Sequence, residues 1–297
     1  MCSILIQDAR GMIREKLKCS LIVSAYNQAP QLDLLLESVR WQTEKNFEVV
    51  IADDGSSDNL PDIIARFMEQ EPGIPVAHVW HEDAGFRKTI ILNKAVKVSR
   101  ADYLVFVDGD MILDPRFIEM HVRYARPGRV MCGWRGVKIR EPYARQLIEK
   151  KASFNPSLKN VFWQAVKGNL SRPFRATIIH NRVLRKYLAK ERGRLGGCNF
   201  ALYKSDYEKA NGMDESILQY GYEDYELGHR LQLNGIMPVG IRNCANTFHL
   251  EHPKSPGLDM SEIKSRIRAS TFPRCRFGLV ELDDGSSNDM FVKDASK

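Results

Sequence analysis

The sequence predicts an α/β fold, with a mostly parallel sheet flanked by helices. Two observations lead there. Short apolar runs alternate with amphipathic helical stretches from residue 18 to residue 107, the pattern of strand–helix–strand crossovers. Each run also stops abruptly at a polar cluster, and open sheets of this kind bind ligands at the carboxyl ends of their strands.

Residues 18–24 read as the first buried strand, an apolar run closing on a polar turn. Pro30 opens the next helix, in which Leu32, Leu35, Leu36 and Val39 recur at three- and four-residue spacing. Residues 47–52 form the second strand, cut off by Asp53-Asp54-Gly55-Ser56-Ser57-Asp58. Ile63, Ile64, Phe67 and Met68 mark the second helix; residues 76–80 are the third strand and 90–98 the third helix. The fourth strand, residues 103–107, ends at Asp108-Gly109-Asp110. Beyond Pro115 the pattern predicts a helix over 117–124, a strand over 130–134, and helices over 142–152 and 182–190. Residues 195–202 read as a glycine-led strand, followed by a short helix at 206–211 and a longer one at 224–234. From about residue 278 the chain is polar and expected to fray.

A chain of 297 residues is long enough for a core that stands without disulfides or structural metals. Its six cysteines (Cys2, Cys19, Cys132, Cys198, Cys244, Cys275) form no CxxC pair, which argues against a disulfide framework or zinc knuckle and reads as buried free thiols. No stretch approaches the roughly 20 apolar residues of a membrane span. Residues 1–6 are too short an apolar run for a secretory signal, so a cytoplasmic location is the expectation. The net charge of +7 is concentrated. From Arg135 to Arg194, sixteen Lys or Arg face three acids, Glu141, Glu149 and Glu191, with Phe154, Phe162, Trp163, Phe174 and Tyr187 interleaved. Such a stretch attracts phosphates, acidic glycans or an anionic membrane surface, which would make the protein peripheral at the inner face of the cell membrane. A solvated helical face is the plain alternative. No recognised RNA or DNA motif accompanies it, so nucleic acid is not an expected partner.

Asp108-Gly109-Asp110 is the most informative tripeptide. It follows an apolar strand, so both acids emerge at the sheet's edge, and Gly109 permits close backbone approach. Carboxylate oxygens suit hard divalent cations, and a diphosphate needs such a cation to neutralise its charge. A plain Asp-Gly turn is the alternative. Asp53 and Asp54 end the second strand in the same way, able to accept from a uracil N–H or a ribose hydroxyl, or to cap the next helix as an Asx turn. Ser24, Ala25, Tyr26 and Asn27 close the first strand and strengthen the nucleotide reading. Arg87 and Lys88 precede a helix N-terminus, where cations do not help the helix dipole and a bound anion explains them. A solvated surface pair is the alternative.

In this order VSAYN, IADDGSSD, GFRK with LNKA, and VFVDGD resemble the family 2 inverting glycosyltransferases of GT-A fold. Gly196-Gly197-Cys198-Asn199-Phe200-Ala201 and Gly221-Tyr222-Glu223-Asp224-Tyr225-Glu226-Leu227 look like C-terminal motifs of β-galactosyltransferases and chondroitin-polymerase-type transferases. The resemblance spans about residues 18–255 and departs from the galactosyltransferase pattern at Tyr222, where a second glycine is usual. It implies a Rossmann-like nucleotide-binding sheet with a C-terminal acceptor-binding part. The divisions expected are an N-terminal extension (1–17), a nucleotide-sugar-binding subdomain (18–134), a basic helical insertion (135–194), an acceptor-binding and catalytic part (195–255) and a tail (256–297).

The same resemblance implies roles. Asp110 is the metal-binding aspartate, Asp108 contacts ribose or metal, and Asp53 and Asp54 read uracil and ribose. Glu223 and Asp224 hold the acceptor, and Asp224 is the general base. Opening a helix, Asp224 has a capping acid as its alternative reading. His249 or His252, with His249 favoured, completes the shell of Mn2+ or Mg2+. The expected reaction moves a hexose or N-acetylhexosamine from a UDP-sugar to a saccharide or glycolipid acceptor with inversion, in bacterial surface polysaccharide biosynthesis. A catalytically silent nucleotide-sugar-binding module and a sugar nucleotidyltransferase are the alternatives. The latter normally carries a glycine-rich basic loop after its first strand, where this chain has Ser24-Ala25-Tyr26-Asn27-Gln28.

Overall fold

The computed structural model describes residues 2–7, 16–133, 136–179, 195–252 and 260–282. Its first half opens with a strand the sequence did not predict, β1 (Cys2–Gln7), and continues as the expected alternation: β2 (Cys19–Ala25), α1 (Ala29–Arg40), β3 (Phe47–Asp53), α2 (Leu60–Gln70), β4 (Val76–His81), α3 (Lys88–Val98) and β5 (Tyr103–Asp108). Prolines stand in the first turn of both α1 and α2, where their missing N–H costs no hydrogen bond. Every residue of β2 and β3 is buried, as strands covered on both faces require.

The second half contains β6 (Met111–Leu113), α4 (Phe117–Tyr124), β7 (Arg129–Cys132), β8 (Val137–Ile139), α5 (Glu141–Ile148), α6 (Leu158–Val166) and β9 (Leu170–Ser171). Then follow β10 (Asn199–Tyr203), α7 (Lys204–Lys209), α8 (Glu223–Leu233), β11 (Met237–Gly240), β12 (Thr247–Leu250) and α9 (Ser261–Ala269). One sheet runs β1-β4-β3-β2-β5-β10-β7-β11 and a smaller one β6-β12-β8-β9. The central β4-β3-β2-β5 ladder is parallel. β1 joins β4 antiparallel, and β10 pairs antiparallel with both β5 and β7.

Apolar clusters cover both faces of the large sheet. Leu21, Val23, Val105 and Val107 pack with the buried sides of α1, α2 and α4. On the opposite face Ile22, Val50, Leu104 and Phe106 pack with α3, α7 and α8. A third cluster, with Val137, Ile139, Phe248 and Leu250 at its centre, backs the small sheet against α5 and α6.

Most expected elements stand within a residue or two of their predicted bounds. The helix expected over 142–152 stops at Ile148, because Lys150 takes a left-handed backbone (φ 56°) that a helix cannot contain. The strand expected from 195 starts at Asn199, since the Asn199 N–H turns back to the Gly196 carbonyl. The helix expected at 182–190 lies outside the described residues, as does the end of the strand expected at 130–134. In the expected tail, residues 261–269 form α9 and Cys275 is fully buried.

Candidate active site

The carboxyl ends of β2, β3 and β5 open onto a cavity of about 470 Å3, lined among others by Tyr26, Asp54, Phe86, Lys88, Asp108 and Asp110. The parallel register sets Ser24 beside Asp108. The Ser24 hydroxyl donates to Asp108 Oδ1 at 2.8 Å, and the Lys88 ammonium reaches the same oxygen at 2.7 Å. The Gly109 N–H caps the Ser24 carbonyl at 2.9 Å, tying the Asp-Gly-Asp turn onto β2. A Cβ on Gly109 would stand 3.0 Å from that carbonyl oxygen and would displace the Gln28 amide, so glycine allows the close approach of the turn to β2.

Asp53 and Asp54 diverge. Strand alternation turns Asp53 inward, where it is fully buried, accepting from the Ser56 N–H at 2.8 Å and facing His78 Nε2 at 2.9 Å. Asp54 lines the cavity. Its carboxylate lies 2.7 Å from His81 Nε2 and accepts from the Arg87 N–H at 3.1 Å. Asn27, left-handed at φ 48°, clamps the loop by accepting from the Ser57 N–H and donating its own N–H to Ser56. Ala25 and the half-exposed Tyr26 face the cavity, and the Tyr26 hydroxyl donates to Asp83 at 3.0 Å. The Arg87 guanidinium donates to the Glu82 carbonyl, while its Nε is buried with no partner.

At the far side of the Asp-Gly-Asp turn, Asp110 Oδ2 lies 3.1 Å from His249 Nε2 and 3.3 Å from His252 Nε2. Antiparallel pairing of β6 with β12 places His249 there, and the Leu250 N–H donates to the Asp110 carbonyl. One donor atom from each of the three residues lies within 4.8 Å of the others. Asp110 Oδ1 and His249 Nδ1 are buried without a hydrogen-bond partner, a state that folded proteins tolerate where a ligand completes it. Burial works to raise the Asp110 carboxyl, but the two imidazoles outweigh it and hold the group well below the usual carboxylate range. A carboxylate with two imidazoles can ligate first-row divalent ions, Mn2+ included, so the residues are compatible with the cation the resemblance implied. Both histidines converge on Asp110.

Glu223 and Asp224 open α8. Asp224 Oδ2 accepts from the Gly197 N–H at 2.8 Å, and Glu223 accepts from the Gly221 N–H at 2.8 Å. Burial pushes the Glu223 carboxyl above its ordinary range; Lys88 opposes that shift and Asp224 adds to it. Asp224 lines not the large cavity but a second one of about 280 Å3, with Leu195, Tyr225, His229 and Arg268 in its walls. Lys88 joins the two regions. Burial alone would lower its ammonium, yet the charges of Asp108, Glu223 and Asp224 hold it above its ordinary value. Asp108 at the end of β5 and the two acids opening α8 therefore act electrostatically on one cation.

Gln28, Phe86 and Tyr220 also line the cavity and were not singled out from the sequence. Phe86 and Tyr220 meet edge to face at 6.1 Å across 134 residues of chain, a separation no local pattern reports. His78 and His81, the partners of the aspartate pair, sit in a strand that reads simply as apolar.

Residues 20–193 match the family model described as Glycosyl transferase family 2, and residues 182–253 match N-terminal domain of galactosyltransferase. Validoxylamine A glucosyltransferase of Streptomyces hygroscopicus subsp. jinggangensis (strain 5008) is 27% identical over 264 residues, covering 82% of this chain and 58% of that protein. Chondroitin synthase of Pasteurella multocida (strain Pm70) is 26% identical over 256 residues, covering 81% of this chain and 25% of that protein. The chain thus spans less than two thirds of the length of these relatives. Among solved structures, the mannosyltransferase PcManGT from Pyrobaculum calidifontis, in complex with GDP-Man and Mn2+, aligns with a TM-score of 0.51 at 18% identity, covering 87% of this chain and 62% of that one. TarS of S. aureus aligns with a TM-score of 0.52 at 16% identity, covering 86% and 43%.

Proposed function

Because this chain belongs to glycosyl transferase family 2 and carries a GT-A fold, we propose that it moves a hexose or N-acetylhexosamine from a UDP-sugar onto a saccharide or lipid-linked acceptor, with inversion. The observation that carries this reading is the shared cation. Lys88 pairs with Asp108 at 2.7 Å and also feels the charges of Glu223 and Asp224, which supports a reading in which donor-side and acceptor-side acids share one electrostatic neighbourhood. The setting proposed is bacterial surface polysaccharide biosynthesis, a reading supported by the likeness to chondroitin synthases.

Each residue then has a task. Asp54 has one hydrogen bond on each carboxylate oxygen, leaving lone pairs that can accept a uracil imide N–H. Tyr26 offers an exposed ring to the base. Lys88 places a fixed positive charge where the diphosphate lies. Asp110, His249 and His252 would hold Mn2+ or Mg2+, with Asp108 beside them; the bound ion supplies Lewis-acid neutralisation of the departing diphosphate. Glu223 orients the acceptor, and Asp224 takes the proton from its attacking hydroxyl. The Gly197 N–H fixes Asp224 Oδ2, leaving the other oxygen for that proton.

The test is a donor screen. Nucleoside diphosphate release is followed with Mn2+ across UDP-Gal, UDP-GalNAc, UDP-Glc, UDP-GlcNAc and GDP-Man, with saccharide and glycolipid acceptors. Acceptor-dependent release from one UDP-sugar, abolished by EDTA, is expected. A donor that binds but is never consumed would leave a silent binding module. Pyrophosphate release from UTP and a sugar phosphate would indicate a nucleotidyltransferase.

A further inference from the structure

The helix α6 shows an apolar face that the fold does not cover. Leu158, Phe162, Trp163 and Val166 are 61%, 69%, 55% and 63% exposed, on the side of the helix opposite the buried Val161 and Gln164. Phe174, in the short helical turn at Pro173–Ala176 that packs beside α6, is 68% exposed. Large apolar side chains gathered on one surface mark an interaction site rather than ordinary surface composition.

The chemistry around the face selects the partner. Lys159, Lys167 and Arg172 are exposed beside it, and the Lys167 ammonium lies 5.4 Å from the Trp163 ring centre. Between residues 150 and 190 the sequence holds ten Lys or Arg and no Asp or Glu. A second copy of the chain docking here about a two-fold axis would bring these cations against themselves, which opposes association. A surface of negative charge over an apolar interior satisfies both features: aromatic and aliphatic tips enter the hydrocarbon boundary while lysines stay among the headgroups. We propose that α6 and the Phe174 turn form a docking surface for an anionic lipid bilayer.

The fold also gives this surface a rigid link to the candidate metal ligands. Val161 of α6 packs in the cluster that contains Phe248 and Leu250, the neighbours of His249 in β12. A bilayer bound to α6 would therefore lie at a fixed orientation to the transfer site. The surface itself stands whether or not the chain transfers sugar.

Flotation of the full chain with phosphatidylcholine vesicles, with and without phosphatidylglycerol, tests the proposal. Binding to the phosphatidylglycerol vesicles alone is expected. The pair Phe162→Ser and Trp163→Ser should lower the partition coefficient by about tenfold or more, as should Lys159→Glu with Lys167→Glu. All four side chains are exposed, and circular dichroism checks that the fold survives. Tryptophan emission should shift to shorter wavelength on vesicle addition, and Trp163→Phe should remove most of the shift. Flotation with neither vesicle, or with both equally, overturns the proposal. So does unchanged flotation of the apolar variant. Self-association lost in that variant without any vesicle binding would assign the face to a second copy instead.

Discussion

Replacing Asp224 with asparagine separates chemistry from binding, and the structure sets the size of each effect. Asparagine has the shape of aspartate, and its amide oxygen can still accept the Gly197 N–H that Asp224 Oδ2 accepts at 2.8 Å. Folding stability should fall by about 1 kcal/mol, the difference between a charge-assisted and a neutral hydrogen bond. The 2.7 Å Lys88–Asp108 pair is kept, and removing one negative charge that acts on Lys88 favours a diphosphate there, so UDP affinity should not fall. What the amide cannot do is take a proton. General-base catalysis contributes about 10²- to 10⁴-fold, so kcat should fall by that factor, roughly 3–5 kcal/mol in the barrier. The assay pairs UDP release in the presence of acceptor with calorimetric titration of UDP. A fall in kcat of less than tenfold, or a loss of UDP affinity that matches the loss of rate, would refute the base assignment.

Two further substitutions test how the fold supports the site. Gly136 has φ 57°, and a Cβ there would stand 1.8 Å from the Thr247 carbonyl at the start of β12; Gly136→Ala should cost about 2 kcal/mol or more in denaturant unfolding and weaken Mn2+ binding through His249. Asp214 is raised from 3.8 to about 7, by burial first and then by the charge of Glu226. The folded chain therefore keeps a proton that the unfolded chain has lost, and stability falls as pH rises from about 4 to about 7. Asp214→Asn should remove up to about 4 kcal/mol of that decline, measured as unfolding free energy against pH; an unchanged slope would show that Asp214 does not titrate in this window.

The central sheet was legible because a parallel strand buried on both faces reads as a short, nearly continuous apolar run, as residues 49–52 and 104–107 do. The site was legible as a set of polar clusters at strand ends, and the Asp-Gly-Asp turn lies where that logic places it. The division of labour between Asp53 and Asp54 was not. Neighbouring residues in sequence, they point to opposite sides because strand side chains alternate, and only one reaches the cavity. The small sheet escaped notice because β6, β8 and β9 have two or three residues each, too few to show a period. Its assembly from distant segments nevertheless brings His249 onto Asp110. The second cavity, which takes Asp224 away from the larger one, depends on how α8 packs, and helix packing angles leave no mark in local sequence.

In the mechanism proposed, Asp110, His249 and His252 form one cation site serving a nucleoside diphosphate. Titration of Mn2+ by electron paramagnetic resonance, with and without UDP, tests it on the unmodified chain and on His249→Ala. Mn2+ should bind more tightly when UDP is present, and the alanine variant should lose about tenfold or more in affinity while UDP without metal binds it as before. Equal Mn2+ affinity in the two proteins, or binding indifferent to UDP, would contradict the claim.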